Sequence, residues 1–283
     1  MGPSIPVEEI DAVFTASVAA TQEMTLLGPS LAHPLLSYAL SVYHLDIEKL
    51  IHAKPDVILT CLQTAHGAIL EGTLRNAALQ SVLGYVPTVV HCEAQNLEQV
   101  WKDVQSIADA LNVPERGQSL IKEQQVAMQS AAASGKGRGR PRVVCIQWPH
   151  PMMAAGCWVP EMLELVGARD VCGRVEEAVV VSLQDLQRAD PEVIIFALCG
   201  LSLEKATKAA QVAVGKMKKE GGVWGGLRAV QRRQVAVVDG EHVFSRPGPL
   251  LSTSLECLVE ILFPEAQRYG HQDRLWRWMA TGG

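Results

Sequence analysis

Ile47-Glu-Lys-Leu50-Ile-His-Ala53-Lys-Pro55-Asp56-Val57-Ile58-Leu59 lies without a gap on Leu183-Gln-Asp-Leu186-Gln-Arg-Ala189-Asp-Pro191-Glu192-Val193-Ile194-Ile195, 136 residues further along the chain. In each copy a short helical stretch runs into a proline. Proline cannot continue a helix and turns the residue before it away from the α region. An acidic residue follows, then a β-branched apolar run of the kind that fills a parallel strand buried on both faces. Solenoids repeat every ~20–50 residues, so two copies this far apart read instead as two lobes of similar build.

Outward from the echo, each half continues in α/β fashion. The first half gives a strand over Asp56–Thr60, a polar loop Cys61–Gly67, a helix from about Ala68 to Leu83, and the strand Thr88–Cys92. A helix over Leu97–Leu111 follows, with apolar residues at Val100, Val104, Ile107, Ala108 and Leu111 on one stripe. The second half gives the strand Arg142–Ile146, the helix Pro160–Val166, the helix before Pro191, the strand Val193–Ala197, a helix after Leu203 and the strand Val235–Val238. Strands alternating with helices predict parallel sheets covered on both faces.

Between the halves, Pro114 suits the first turn of a helix, and the Ala/Gln/Leu/Glu/Lys-rich body up to Ala133 favours one. Gly135, Gly137 and Gly139 then stop it. Twenty helical residues span roughly 30 Å. Such a rod joins two lobes, or is one more surface helix of a single domain; together with the echo it favours the first. The predicted organisation is an N-terminal α/β lobe over 1–112, a connecting helix over 113–136 and a C-terminal α/β lobe over 137–283: two Rossmann-like lobes with parallel sheets joined by one long α-helix.

Composition narrows the function. Hydrophobic residues make up 48% of the 283 residues and charged residues 19%, a globular balance. A net charge of -5 offers no surface for nucleic acid. The basic cluster Lys136-Gly-Arg138-Gly-Arg140-Pro-Arg142 is interleaved with glycine and reads as a solvated linker. The most apolar early stretch, Met24–Leu40, is broken by Pro29, His33 and Pro34 and is too short to span a bilayer. No basic region leads into an apolar run at the N-terminus, which leaves a mature form, a truncated form or a cytosolic protein open. Seven cysteines without regular spacing lean toward free thiols.

Ligands of open parallel sheets bind beyond the carboxyl ends of the strands. Four segments follow strand ends: Cys61–Gly67, Gln147–Trp158, Leu198–Leu201 and Gly240–Pro249. The second carries Trp148, His150, Met152, Met153 and Trp158 where polar turn residues are the norm. Large planar and polarisable side chains suit a flat, partly apolar ligand, although both tryptophans would serve equally in a lobe core. The fourth offers Phe244 beside Arg246, whose guanidinium suits a ligand amide or carboxylate, or an ion pair within its own lobe. Cys61, His66, His91, Cys92, His150, Cys157, Cys199 and His242 raise a zinc-like metal site, but without tight ligand spacing; His91 and Cys92, adjacent on a strand, point to opposite faces. G-x-S-x-G, a phosphate loop and a strand-linked G-x-G-x-x-G are missing, so no enzyme is expected.

Arg140 through Asp170, with Cys-Ile-Gln-Trp148-Pro-His-Pro-Met-Met-Ala-Ala-Gly-Cys-Trp158-Val-Pro at its centre, resembles cobalamin-type substrate-binding proteins of ABC importers, the class with a helical backbone. So do Ala189–Gly200, the Val-Asp-Gly at 238–240, Phe244–Pro249, Glu9-Ile-Asp11 and Tyr43–Thr60. The resemblance covers most of the chain from about Tyr43 to Pro264 and is strongest in the second half. It implies a monomeric, extracytoplasmic, non-enzymatic protein that holds a cobalamin-like corrinoid, or a siderophore-like chelate or metal, in a cleft between two lobes. On that resemblance Trp148, His150, Met153, Trp158, Cys199, Phe244, Arg246 and His66 line the cleft. Glu71 and Glu204 would dock to arginines of an ABC permease, or are ordinary solvated glutamates. A relative that has lost transport and serves as an interaction module is a further reading.

This chain departs from the family in three places. Nothing before Glu9 supplies the opening strand and turn of such proteins, so the first strand of the N-terminal lobe is expected to be missing. Residues 24–41 read as an insertion, and the loop after Thr60 carries Leu62, Gln63 and His66 in place of the cysteine-rich pattern of close relatives.

Overall fold

The computed structural model describes residues 47–61, 80, 82–175, 177–219 and 222–280. The expected missing first strand, the insertion at 24–41, nearly all of the loop 61–67, most of the helix 68–83, His66 and Glu71 lie outside them. The chain divides into two compact units, and it passes between them after Glu93, Val104 and Pro114.

In the first unit, helix α1 (Ile47–Ala53) leads to strand β1 (Val57–Cys61), which pairs in parallel with β2 (Thr88–Cys92), Val57 opposite Thr88 and Thr60 opposite His91. Thr88 donates its N–H to Asp56 O at 2.9 Å, and the Tyr85 hydroxyl donates to Pro55 O at 3.1 Å. The Thr60 hydroxyl and His91 Nδ1 are 3.0 Å apart, so the pairing extends to side chains.

The echo holds in three dimensions. Helix α5 (Leu183–Ala189) in the second unit has the same seven-residue length as α1, and strand β7 (Val193–Phe196) begins at the same step after it as β1. Lys54 and Asp190, each just before the proline, both sit at positive φ, 46° and 42°. Each donates its N–H to the carbonyl four residues back, Leu50 and Leu186. A left-handed residue ends the helix by satisfying one of its last carbonyls, and the proline prevents further winding. At the start of α5, Ser182 and Asp185 exchange side-chain-to-backbone hydrogen bonds as a capping box. At its end, Arg142 donates to Ala189 O and Arg228 to Asp190 O.

The second unit is built on one mixed sheet of seven strands in the order β6-β4-β3-β7-β8-β9, with β5 also on β3. Strands β3 (Arg142–Pro149), β7, β8 (Val235–Val238) and β5 (Arg169–Asp170) are parallel. The edges are antiparallel: β4 (Met152–Ala154) on β3, β6 (Val179–Val180) on β4, and β9 (Trp276–Trp278) on β8. The expectation of a purely parallel sheet therefore holds for the centre and not for the edges.

Alternation along the central strands buries both faces of the sheet. Val143, Cys145, Val193, Ile195, Ala236 and Val238 face one cluster, shared with α3 (Pro114–Gly135), α4 (Val159–Leu165) and α9 (Leu251–Leu262). Val144, Ile146, Ile194, Phe196, Val235 and Val237 face the other, shared with α5, α6 (Leu203–Met217), α7 (Val223–Gly226) and α8 (Arg228–Gln231). Ala94 and Val100, the latter on α2 (Leu97–Ala110), belong to the first cluster, and Leu97 N–H donates to Glu161 Oε2 at 2.7 Å. This is why Ala94–Val104 group with the second unit.

Helix α3 is 22 residues long. It buries Gly117, Gln124, Met128, Ala131, Ala132 and Gly135 along one stripe. Gln124 Oε1 accepts from the buried Ser252 hydroxyl at 2.8 Å. Gly135 does more than stop the helix: a Cβ there would lie 2.4 Å from Val166 O, so its missing side chain lets α3 touch the end of α4. No helix of the described residues is long and apolar enough to cross a membrane.

Candidate functional site on the second unit

The carboxyl ends of β3, β7 and β8, neighbours in the sheet, carry the unusual residues. The segment after Ile146 is not the loop that the sequence suggests. β3 runs on to Pro149, turns at His150–Pro151 and returns as β4, with a register shift between Ile146 and Trp148. An extra residue at such a bulge is left out of the ladder. Here Gln147 O accepts from Cys199 N at 3.2 Å instead, which ties the hairpin to the end of β7. Trp148 stands opposite Met153, both half-buried, and its indole donates to His150 O at 3.0 Å. His150 is exposed at the tip. Cross-strand partners have Cβ atoms about 5 Å apart, so indole and thioether form one apolar, polarisable surface.

At the end of β7, Cys199 is half-buried and accepts from the Ser245 hydroxyl at 3.3 Å. Burial pushes its thiol up, with the Ser245 hydrogen bond acting in the opposite direction, so Cys199 presents a neutral sulfur and no thiolate. Cys145, Cys172 and Cys257 are free thiols also raised by burial, Cys172 to about 11.

At the end of β8, the buried Asp239 accepts at one oxygen from the N–H of Glu241 and of His242, both at 2.9 Å, and lies 3.1 Å from His242 Nδ1. A carboxylate bonded to backbone just ahead of it makes a tight turn. Gly240 O accepts from Gly200 N at 3.0 Å, and a Cβ on Gly240 would lie 1.9 Å from Leu198 O. The two strand-end loops therefore pack backbone to backbone.

Trp158 and Phe244 are placed differently from the expectation that they line an open cleft. Trp158 is 3% exposed and Phe244 1%, both within the core of the unit. The indole N–H of Trp158 donates to Phe244 O at 2.7 Å, and Phe244 N–H donates to Ser254 Oγ at 3.0 Å. Phe244 also sits at a φ of 67°, held by those two bonds. A large ring that finds an acceptor for its one polar atom is stable when sealed from water. The pair fastens the 240–249 loop to the start of α4, which leaves Arg246 exposed on that loop.

Glu204 is exposed in the first turn of α6 and pairs with Lys208 at 2.9 Å; the Lys208 hydrogen bond and charge hold its carboxyl below the ordinary range. Among the described residues no three His, Cys, Asp or Glu side chains gather to hold a metal ion. Sequence reasoning passed over Asp239, Gln147 and Ser245. Asp two residues ahead of a potential N–H partner at a strand end is the usual mark of such a turn, whereas the other two act through contacts that no spacing announces.

Comparison with known proteins places this geometry. The profile of the periplasmic binding protein family matches residues 37–241. An uncharacterized ABC transporter substrate-binding lipoprotein of Bacillus subtilis, YvrC, is 22% identical over 228 residues, 78% of this chain and 66% of the relative. The chain thus spans just under two thirds of that relative's length. Among solved structures, an ABC transporter substrate-binding protein from Listeria monocytogenes is similar at a TM-score of 0.63 and 15% identity, covering 77% of this chain and 81% of that one. A periplasmic heme binding protein from Pseudomonas aeruginosa gives 0.60 and 20%, over 79% and 77%. The periplasmic vitamin B12 binding protein of Vibrio cholerae gives 0.56 and 21%, over 77% and 78%.

Proposed function

Because the chain belongs to the periplasmic binding protein family, we propose that it is a non-catalytic carrier that binds a cobalamin-like corrinoid and delivers it to an ABC permease. The observation that carries the ligand class is the β3–β4 hairpin, which sets half-buried Trp148 against Met153 at the carboxyl edge of the sheet, beside Cys199. A flat macrocycle with polar amides at its rim matches an apolar platform bordered by His150 and Arg246. Trp148, His150, Met153, Cys199 and Arg246 are assigned to contact it; Trp158 and Phe244 support the loops from behind. His66, outside the described residues, is a further candidate contact for the same ligand. The protein works outside the cytoplasm, a reading that the lipoprotein description of the Bacillus relative supports, and is assigned as a monomer.

Calorimetric titration with cyanocobalamin tests this. Saturable binding of one ligand per chain is expected, weakened about 30-fold or more by Trp148→Ala, the loss typical of a buried aromatic anchor. No heat at high micromolar ligand rejects the corrinoid. Replacing Glu71 and Glu204 together by alanine is expected to leave that affinity unchanged and to abolish transfer to the permease.

A second reading, a heme or metal-chelate carrier, is favoured by the exposed imidazoles His150 and His242 at the same edge. Binding of ferric heme with no binding of cyanocobalamin would select it.

A further inference from the structure

We infer that the end of the second unit at which its parallel strands begin is a docking surface for the anionic headgroups of a phospholipid bilayer. Parallel neighbours oblige the chain to return to the same end before each strand, so the segments that enter β3, β5, β7 and β8 gather there. Backbone hydrogen bonds fasten these entries to one another. Arg169 N–H donates to Pro141 O at 2.9 Å, Glu192 N–H to Arg142 O at 2.7 Å and Ile194 N–H to Gln234 O at 3.0 Å. The segment 136–142 enters β3, while 216–219 closes α6 and 228–233 leads into β8. These three segments hold ten of the chain's 25 lysines and arginines and no aspartate or glutamate, although Glu220 follows the second in the sequence. In the sequence Lys136–Arg142 reads as a solvated linker; the fold brings two further basic runs to the same end.

Structural duties account for part of this charge. Helix carboxyl ends favour cations, and Arg138 donates to Ser134 O, Arg142 to Ala189 O and Arg228 to Asp190 O. Arg140 pairs with Glu164, and Arg228 with Asp190 and Glu192. Among the described residues, Lys136, Arg169, Lys216, Lys219, Arg232 and Arg233 are exposed and enter no ion pair. Neither caps nor carboxylates use these six charges, on a chain whose net charge is -5. Neighbouring strands lie about 5 Å apart, so the entries of β3 and β8, on either side of β7, fall within roughly 10 Å. That is close to the screening length of about 8 Å at physiological salt, so the cations act on a facing surface together. A planar anionic surface needs only point charges held at one level. Single-stranded nucleic acid needs aromatic rings beside the cations, and the three basic segments contain none.

Held this way, the second unit turns its carboxyl edge, with Trp148 and Met153, away from the lipid, and Glu204 in the first turn of α6 with it. The lipid-bound state is then one of waiting, with the ligand edge toward the medium, and excludes docking to a permease through Glu204. That consequence rests on the carrier reading above; the lipid contact does not.

The test uses the full chain and vesicles of phosphatidylcholine with and without about 30% phosphatidylglycerol, read by flotation. Binding is expected to the anionic vesicles alone, and should fall at least about tenfold when salt is raised from about 0.05 to 0.5 M. A cation at an anionic surface raises affinity about fivefold, so Arg232→Gln/Arg233→Gln and Lys216→Gln/Lys219→Gln should each weaken binding about 10- to 30-fold. Lys205→Gln/Lys208→Gln removes the same charge from the opposite end of α6 and should change binding less than about twofold, because screening isolates it from the surface. All of these side chains are exposed, so the variants fold, and matching circular dichroism and melting temperatures check that. Equal losses in the three variants would reduce the effect to net charge and overturn the surface. Equal binding to neutral vesicles, or binding to neither kind, overturns it as well. So does binding of single-stranded RNA, weakened by the same variants, at vesicle concentrations that leave the chain unbound. Each of these outcomes leaves the carrier reading standing, which titration with cyanocobalamin and heme judges separately.

Discussion

The Trp158 indole and the Phe244 carbonyl meet at 2.7 Å inside a core that excludes water, so neither has solvent to fall back on. Trp158→Phe keeps most of the ring and removes the donor. It is expected to cost about 1–3 kcal/mol, the penalty of a buried polar group left unpaired, read as a lowered urea midpoint at unchanged slope. A midpoint equal to wild type would show that Phe244 O is satisfied otherwise. Glu260 is a second such residue. It is 6% exposed, and its carboxylate accepts from Trp276 Nε1 at 2.7 Å and from the N–H of Gly270 at 2.7 Å, with Tyr269 and His271 N–H beside them. Burial alone pushes this carboxyl up, but the indole and the three backbone donors outweigh it and hold it below the ordinary 4.5. A carboxyl lowered by folding contributes stability above its unfolded value and loses it as pH falls from 4.5 through the folded value. Stability of wild type should therefore drop on acidification through that window. Glu260→Gln, whose amide turns a donor toward donors, should start lower at neutral pH and lose less on the way down. Equal acid slopes in the two proteins would remove Glu260 from the account.

At the scale of elements, the strand-end loops hold the candidate site because two backbones touch. Gly240→Ala sets a methyl 1.9 Å from Leu198 O, and a carbonyl in a strand-end turn cannot swing aside as a side chain can. The expected cost is about 3 kcal/mol, at the upper end of overpacking, together with weakened ligand binding as the ends of β7 and β8 move apart. Unchanged thermal stability and ligand affinity would mean that the loops separate freely. Elements also mark where sequence reasoning stopped. The helices before Pro55 and Pro191, and the strands Thr88–Cys92 and Val235–Val238, were legible because proline and β-branched runs act locally. The β3–β4 hairpin read as a loop, since His-Pro-Met-Met has no alternating pattern and its pairing comes from β3 and β6 on either side. Edge strands β6 and β9, two and three residues long, carry too few residues for any period to show.

For the whole molecule, a carrier with one site has a simple signature. Free ligand at 100 times Kd adds about 2.7 kcal/mol to the folded state, which raises the melting temperature by roughly 4–5 °C for a chain of this size. A scanning calorimeter measures this with cyanocobalamin or heme, and a transition unmoved by either at saturating concentration would contradict a carrier of that ligand class. Read alone, the sequence determined the α/β class, the doubled helix-proline-strand unit, the 22-residue helix after Pro114 and the set of strand ends where ligand chemistry gathers. These follow from backbone stereochemistry and from the period of burial, both of which act over a few neighbouring residues. Tertiary structure alone decided that Trp158 and Phe244 face inward while Trp148 stays half-buried, and that Asp239 holds the ring of His242. Whether a side chain lines a surface or fills a core depends on which distant backbone supplies its hydrogen-bond partner, and Phe244 O is 86 residues from the indole it serves.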